Sequence, residues 1–266
     1  MPPKTLSVLT CILLIFTSCQ KEISTQIGQP DPDNGNNNNS GTEFVRIQQG
    51  IDPDITNDTV WLISYASSKK IKMIVDSLYG DTSVAEYDAS DRLVKVKTSY
   101  DNDASYVYDA SGLLIRINFM NAGSKERFDF EYTGGVISKS TYSSDLGSGG
   151  SYKPWRYETF TVKDGNITEV KQYTMAGGLE GQAVLNYGSQ LNPFKNLSLF
   201  NYANRLGMEQ IVNFYSFFNK NISSGITIGA NSFKTTNTYN NQKLTKIASE
   251  DFNGNGGSYT WLLSYK

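Results

Sequence analysis

The decapeptide Tyr87-Asp-Ala-Ser-Asp-Arg-Leu-Val-Lys-Val96 returns 21 residues later as Tyr108-Asp-Ala-Ser-Gly-Leu-Leu-Ile-Arg-Ile117. Near-identity at a short fixed offset marks a structural unit used serially. Each copy reads as a strand ending in tyrosine, a tight polar turn, and a returning strand of alternating residues, so one copy is one β-hairpin. A chain of such units is an antiparallel meander, and the expected fold class is all-β.

Further copies can be traced at Tyr65-Ala-Ser-Ser-Lys-Lys-Ile71, at Tyr187, and, one residue shorter, at Tyr132-Thr-Gly-Gly-Val-Ile137 and Tyr239-Asn-Asn-Gln-Lys-Leu244. In Thr161-Val-Lys-Asp-Gly-Asn-Ile167 threonine stands in the tyrosine position, and Phe218-Asn-Lys-Asn-Ile222 reads as a worn copy. The chain ends on Tyr259-Thr-Trp-Leu-Leu-Ser-Tyr265, an echo of Thr59-Val-Trp-Leu-Ile-Ser-Tyr65. This reads as an end strand lacking its second half, as in a serial array. Period-two reading puts Val94, Val96, Ile115, Ile117 and Phe119 on an apolar face and Lys95, Lys97, Arg116 and Asn118 on a wet one. Such a sheet must curl to hide its apolar side. Charged residues recurring at Lys95, Arg116, Lys139, Glu169 and Lys246 do not suit a lipid-facing band, so the expectation is a water-soluble curved or rolled sheet. The region Tyr202 to Phe214 carries a partial apolar stripe and predicts a short helix, weakened by Gly207.

Residues 1–19 hold one basic residue, Lys4, then the apolar run Leu6 to Phe16, then Thr17, Ser18 and Cys19. That order is a secretory signal, too short in its apolar run to span a bilayer. Residues 20–43 are rich in Gln, Pro, Asp and Asn, and read as a disordered polar tether. Residues 44–266 form a single repeat-built β domain. The 24 basic residues, Lys4 included, stand against 26 acidic ones, so no basic nucleic-acid surface is expected. Of the two cysteines, Cys11 lies in the signal and Cys19 at its end, which excludes disulfide and thiol chemistry in the body.

Phe16-Thr17-Ser18-Cys19 resembles the bacterial lipoprotein processing box, with Phe16 a departure from the usual leucine. The resemblance implies lipidation of Cys19, and Gln20 after it implies an outer-membrane address. Gln20-Lys21-Glu22 resembles a surface-export tag of Bacteroidota lipoproteins. The Tyr-Asp-x-x-Gly-x-Leu turns look like the YD repeats of Rhs-type wrapping proteins. Tyr187 with Asn192-Pro193-Phe194 and Asn219-Lys-Asn-Ile222 is similar to an uncharacterised Bacteroidota lipoprotein family with a porin-like fold. That resemblance implies a rolled antiparallel sheet and supplies no activity, because its motifs are turn chemistry.

There is no histidine, so Ser-His-Asp and Cys-His catalysis are impossible, and zinc loses its preferred ligands. Asp129 and Glu131 share a strand face at a spacing a retaining glycosidase could use. They also sit across from recurrent Lys and Arg, which makes them cross-strand partners. Asp31 and Asp33, and separately Asp251-Phe-Asn-Gly-Asn-Gly256, match only fragments of a calcium loop and read as turns. Trp61, Trp155, Tyr157 and Trp261 are candidates for a sugar-stacking platform, against the simpler role of strand packing. The resulting expectation is a noncatalytic, cofactor-free, lipid-anchored envelope protein on the periplasmic face or cell surface. It would contact outer-membrane lipid and a glycan or envelope protein. The competing expectation is a carboxylate-dependent glycan-degrading enzyme.

Overall fold

A computed structural model describes residues 43–51, 60–66, 70–99, 102–121, 124–145, 151–197, 199, 216–228, 231–251 and 259–265. The signal, Cys19, most of the tether, the Tyr202–Phe214 helix and both calcium-loop fragments beyond Asp251 lie outside the described residues. Sixteen strands follow one another: β1 (Phe44–Ile51), β2 (Val60–Tyr65), β3 (Ile71–Asp76), β4 (Thr82–Tyr87), β5 (Leu93–Thr98), β6 (Asp103–Tyr108), β7 (Leu114–Asn121), β8 (Ser124–Thr133), β9 (Val136–Ser144), β10 (Lys153–Lys163), β11 (Asn166–Thr174), β12 (Leu179–Leu191), β13 (Asn221–Ile228), β14 (Asn231–Asn240), β15 (Lys243–Asp251) and β16 (Tyr259–Tyr265). Each pairs antiparallel with its sequence neighbours, and β16 pairs with β1. The rolled sheet is therefore a closed barrel, the arrangement that removes every strand edge.

Turn chemistry explains the repeat. Asp88 Oδ1 accepts the N–H groups of Ser90 and Arg92, and Asp109 Oδ1 those of Ser111 and Leu113, all at 2.9 Å. Each aspartate thus closes its own turn. The next position is left-handed, with φ of 64° at Asp91 and 88° at Gly112. The shorter copies are two-residue turns with both φ values positive: Gly134 and Gly135, Asp164 and Gly165, Asn241 and Gln242. These are type I′ turns, whose twist matches that of the flanking strands.

A β-bulge sits directly beyond each of these turns. Glu86 pairs with Lys95 but Tyr87 pairs with Leu93, so Val94 is the extra residue; Ile115, Ser138, Thr168 and Thr245 occupy the same place in later copies. The bulge turns both the tyrosine and the first returning residue inward. Leu93, Leu114, Ile137, Ile167 and Leu244 are all buried. It also corrects the simple alternation: Val96, Ile117 and Phe119 do face the core, whereas Val94 and Ile115 are only half-buried.

Register revises three further expectations. Val162, not Thr161, pairs with Ile167, so valine holds the tyrosine position of that copy while Thr161 pairs with Glu169. Phe218–Ile222 is not a copy of its own: β13 is the return strand of the Tyr187 unit, whose turn is replaced by the insertion 192–220. The terminal strand does have a second half. Tyr265 pairs with Phe44 and Ser264 with Arg46, skipping Val45, which reproduces the bulged hairpin register between the two ends of the chain. The barrel is eight equivalent units, the eighth split between its first and last strands.

The inner face forms one hydrophobic core that includes Ile47, Trp61, Ile74, Val96, Ile117 and Trp261. Each such side chain contributes about 1.5–3 kcal/mol by leaving water. Sixteen strands enclose more width than wall side chains alone fill. Phe194, Leu197, Leu199, Phe217 and Phe218 of the insertion add to the filling, with Phe218 5.5 Å from the ring of Phe130. The outer face carries ion pairs across strands, Lys97 with Glu86, Lys95 with Asp103, Arg116 with Asp129 and Lys139 with Glu131, and along them, Arg127 with Asp129 and Lys171 with Glu169.

Candidate functional site

The turns after β2, β4, β6, β8, β10 and β14 lie at one end of the barrel, the tyrosine rim, and the other connections except the insertion lie at the opposite, loop rim. At the tyrosine rim five of the repeat tyrosines reach back one unit. Tyr87 donates its hydroxyl to Ile71 O (2.8 Å), Tyr108 to Leu93 O (3.0 Å), Tyr132 to Leu114 O (2.7 Å), Tyr187 to Ile167 O (2.7 Å) and Tyr265 to Leu244 O (2.6 Å). The acceptor is always the first returning residue of the preceding unit, so the phenols cross-link neighbouring hairpins. Burial raises the pKa of all five phenols well above the ordinary value, so they stay neutral donors. The pattern breaks at Val162, which has no hydroxyl, and at Tyr239, whose buried hydroxyl has no partner among the described residues.

Next to that break, asparagines hold the neck of the insertion. Asn192 Oδ1 accepts Phe194 N–H at 2.9 Å, an Asx turn at the head of the insertion, while Asn192 N–H donates to Lys220 O at 2.9 Å. Asn219 is buried and accepts Ile167 N–H at 2.7 Å. Asn166 and Asn221 bond reciprocally: Asn166 Nδ2 donates to Asn221 Oδ1 at 2.9 Å, and Asn221 N–H to Asn166 Oδ1 at 2.7 Å. The neck is therefore fastened to the turn between β10 and β11. From the insertion, Leu199 O accepts the hydroxyl of Tyr106 across the barrel at 2.8 Å.

Farther along the same strands, toward the loop rim, the inner wall is polar. Register places Ser140 and Tyr142 of β9, Arg156 and Glu158 of β10, and Gln172 and Thr174 of β11 on one inward-facing patch. The Arg156 guanidinium lies over the Tyr142 ring, 5.1 Å from its centre. Burial pushes the Glu158 carboxyl up to about 7, with Arg156 pulling it back down. A carboxyl held protonated more readily by burial, beside a guanidinium and side-chain hydroxyls and amides, is equipped to bind a hydroxyl-bearing or cationic group. Sequence reasoning missed this sector because its residues alternate like those of any half-exposed strand. No signal marked it, because the matching inward positions of earlier copies are themselves mixed, with Ser83 where Glu158 stands and Asp76 and Thr98 where Gln172 stands.

The four candidate aromatics do not converge. Trp61 and Trp261 are at most 1% exposed and belong to the core, which withdraws them from any stacking platform. Tyr157 is on the outer face, its ring stacked on Tyr173 at 5.1 Å with Lys139 over it. Trp155, 57% exposed, projects at the loop rim. The burial of the two core tryptophans follows from their places on β2 and β16, inward positions beside the closing strand β1. Asp129 is engaged by Arg116 across strands and by Arg127 along its own strand, and Glu131 by Lys139 across strands. Among the described residues no cluster of three or more acidic side chains could hold a metal ion.

No family model matches the chain, and no curated protein matches it in sequence. Its fold is similar to that of a porin-like protein from Bacteroides uniformis, with a TM-score of 0.58 and 13% identity over 85% of this chain and 98% of that one. A porin-like protein from Bacteroides vulgatus is similar at a TM-score of 0.53 and 12% identity, over 84% of this chain and 98% of that one. The fold is thus an all-β, porin-like closed barrel.

Proposed function

We propose that this chain is a lipid-anchored envelope protein whose barrel is a noncatalytic binding or scaffold body held in water. The observation that carries the reading is the polarity of the wall, with a continuous hydrophobic core inside and an exterior laced with ion pairs. A barrel that crosses a membrane needs the reverse, an apolar outer band around a polar lumen. A signal ending at Cys19 and a polar tether suit a body held at the envelope by an acyl chain. Porin-like neighbours are compatible with an envelope location. The inward sector at Arg156, Glu158 and Gln172 is the place we assign to a contacted glycan.

Growing cells on a labelled fatty acid tests the anchor. Label should enter the wild-type chain and be lost in Cys19→Ala, and equal labelling of both would refute acylation at this residue. The carboxylate-enzyme reading draws support from the raised Glu158 pKa. Turnover in a glycan panel that disappears in Glu158→Gln would favour it over simple binding.

A further inference from the structure

The inner wall of the barrel is covered on one side and open on the other. On the inward face of β2 to β7, Trp61, Ile74, Val96, Ala104, Ile117 and Phe119 are all buried. On the same face of β10 to β13, Phe160, Val170, Ala183 and Ile226 are only half-buried, and Ile228 is 49% exposed. Register joins these side chains into one surface, because Phe160 pairs with Val170, Val170 with Ala183 and Ala183 with Ile228. Phe160, Val170 and Ile226 pack against the core, which fixes the face as the inner one. Gly181, the next inward position of β12, pairs with Gln172, and a Cβ added there would meet no atom within 4 Å among the described residues. Strand β13 ends at Ile228, level with Ala183, so the wall is low there and the hollow opens over Ile228.

Polar side chains border this wall on its loop-rim side. Glu158 and Gln172 pair in register next to Phe160 and Val170, and Gln172 Nε2 donates to Glu180 Oε2 at 3.1 Å. Arg156 stands two residues nearer the rim, over the Tyr142 ring. The charges are of both signs: Arg156 and Glu158 on β10, Glu180 on β12, and Lys153 and Glu126, which flank Ser144 in register. Burial favours the neutral form of Glu158. A border of mixed charge, supplied with donors and acceptors, suits a head group that is neutral and hydroxylated better than an ion of either sign. Behind it the wall is mostly aliphatic, with Phe160 its one ring, so it matches a hydrocarbon tail and not a stacked row of sugars. The accessible wall ends at Leu185 and Ile167, both buried, and Gly181 to Leu185 measures about 13 Å along β12.

We infer that this hollow binds an amphiphile with a neutral, hydroxylated head and an aliphatic tail, the chemistry of a glycolipid. The head sits at Arg156, Glu158 and Gln172, and the tail lies along Val170, Ala183 and Ile228. The inference rests on the assignment of the Arg156–Glu158–Gln172 sector to a glycan and adds that the glycan carries a tail. Its test uses the polypeptide from Gln20 onward, which holds every described residue and has no acyl group of its own to compete. Octyl β-glucoside, kept below its micelle concentration, and methyl β-glucoside are titrated separately and followed by NMR.

Octyl glucoside should bind one to one, and methyl glucoside, the head without the tail, at least about tenfold more weakly. Gly181→Leu fills the open space beside Gln172 and should weaken octyl glucoside about tenfold. Ile228→Ser, a change at an already exposed position, should weaken octyl glucoside several-fold and leave methyl glucoside unchanged. Leu62→Ser, on the outer wall, should bind both like wild type. Equal affinity for the two glucosides, lost in Gly181→Leu, would overturn the tail and leave the glycan assignment standing. Binding of neither would overturn both. A loss in Leu62→Ser as large as that in Ile228→Ser would move the tail to the outside of the barrel and also defeat the inference.

Discussion

The sector from β2 to β9 and the sector from β10 to β13 are built from the same unit and have diverged in what they do. In the first, tyrosines cross-link successive hairpins and the inward positions near the tyrosine rim are apolar. In the second, valine interrupts the tyrosine series, the turn between β12 and β13 is replaced by the insertion 192–220, and Arg156 and Glu158 face Gln172 and Thr174 toward the loop rim, where the first sector buries Asp76, Ser83 and Glu126. The regular sector shows what the repeat supplies, which is closure and packing. The irregular one shows where the molecule departs from what folding alone requires, and such departures are where function is expected.

The contrast can be broken most severely in the regular sector. Ile117→Ala removes a fully buried side chain and should cost about 2–5 kcal/mol, read by denaturant titration. Glu158→Gln should do the opposite in the irregular sector, and only in one pH range. The folded-state pKa, about 7, lies above the ordinary value of 4.5, so the native state binds the proton more tightly than the unfolded chain. Glu158 is therefore compatible with stability below about 4.5, and its ionisation costs stability as pH rises through about 7. The glutamine variant should gain about 1–2 kcal/mol above pH 7 and little at pH 4. Equal melting temperatures for variant and wild type at pH 8 would contradict the buried placement of this carboxyl.

The smallest effect sharpens the comparison within the tyrosine series. Tyr108→Phe deletes a hydrogen bond and leaves Leu93 O without that donor, a loss of about 1 kcal/mol. Tyr239→Phe deletes a hydroxyl with no partner among the described residues and should be neutral or slightly stabilising. Thermal melts of the two variants side by side decide it.

Hairpin turns, strand order and the outward charged register were legible because turn aspartates, glycines and alternation are local signals. The faces of Val94 and Ile115 were not, because a bulge shifts the alternation by one residue and leaves no mark in composition. The same shift hid Val162 behind Thr161. Closure was illegible for another reason: Phe44–Ile51 carries neither repeat tyrosine nor turn, since its turn partner is at the far end of the chain. The asparagines at 192 and 219 were visible only as a resemblance. Their work in holding the insertion depends on contacts with Lys220 and Ile167 that span up to 52 residues.

The account rests on the split eighth unit being a hairpin in all but its covalent turn. Tyr239 and Leu244 are separated by four residues across a two-residue turn, so joining Lys266 to Glu43 through Asn-Gly recreates that spacing between Tyr265 and Phe44. A circular permutant with this joint, and new termini opened between Gly149 and Gly150 in the β9–β10 connection, should fold to the native circular dichroism spectrum. Its melting temperature should fall within roughly 4 °C of the parent, the shift that about 1 kcal/mol produces in a body of this size. An unfolded or aggregated permutant, set against a folded parent chain opened at the same place by proteolytic nicking, would contradict the closure of the barrel through β1 and β16.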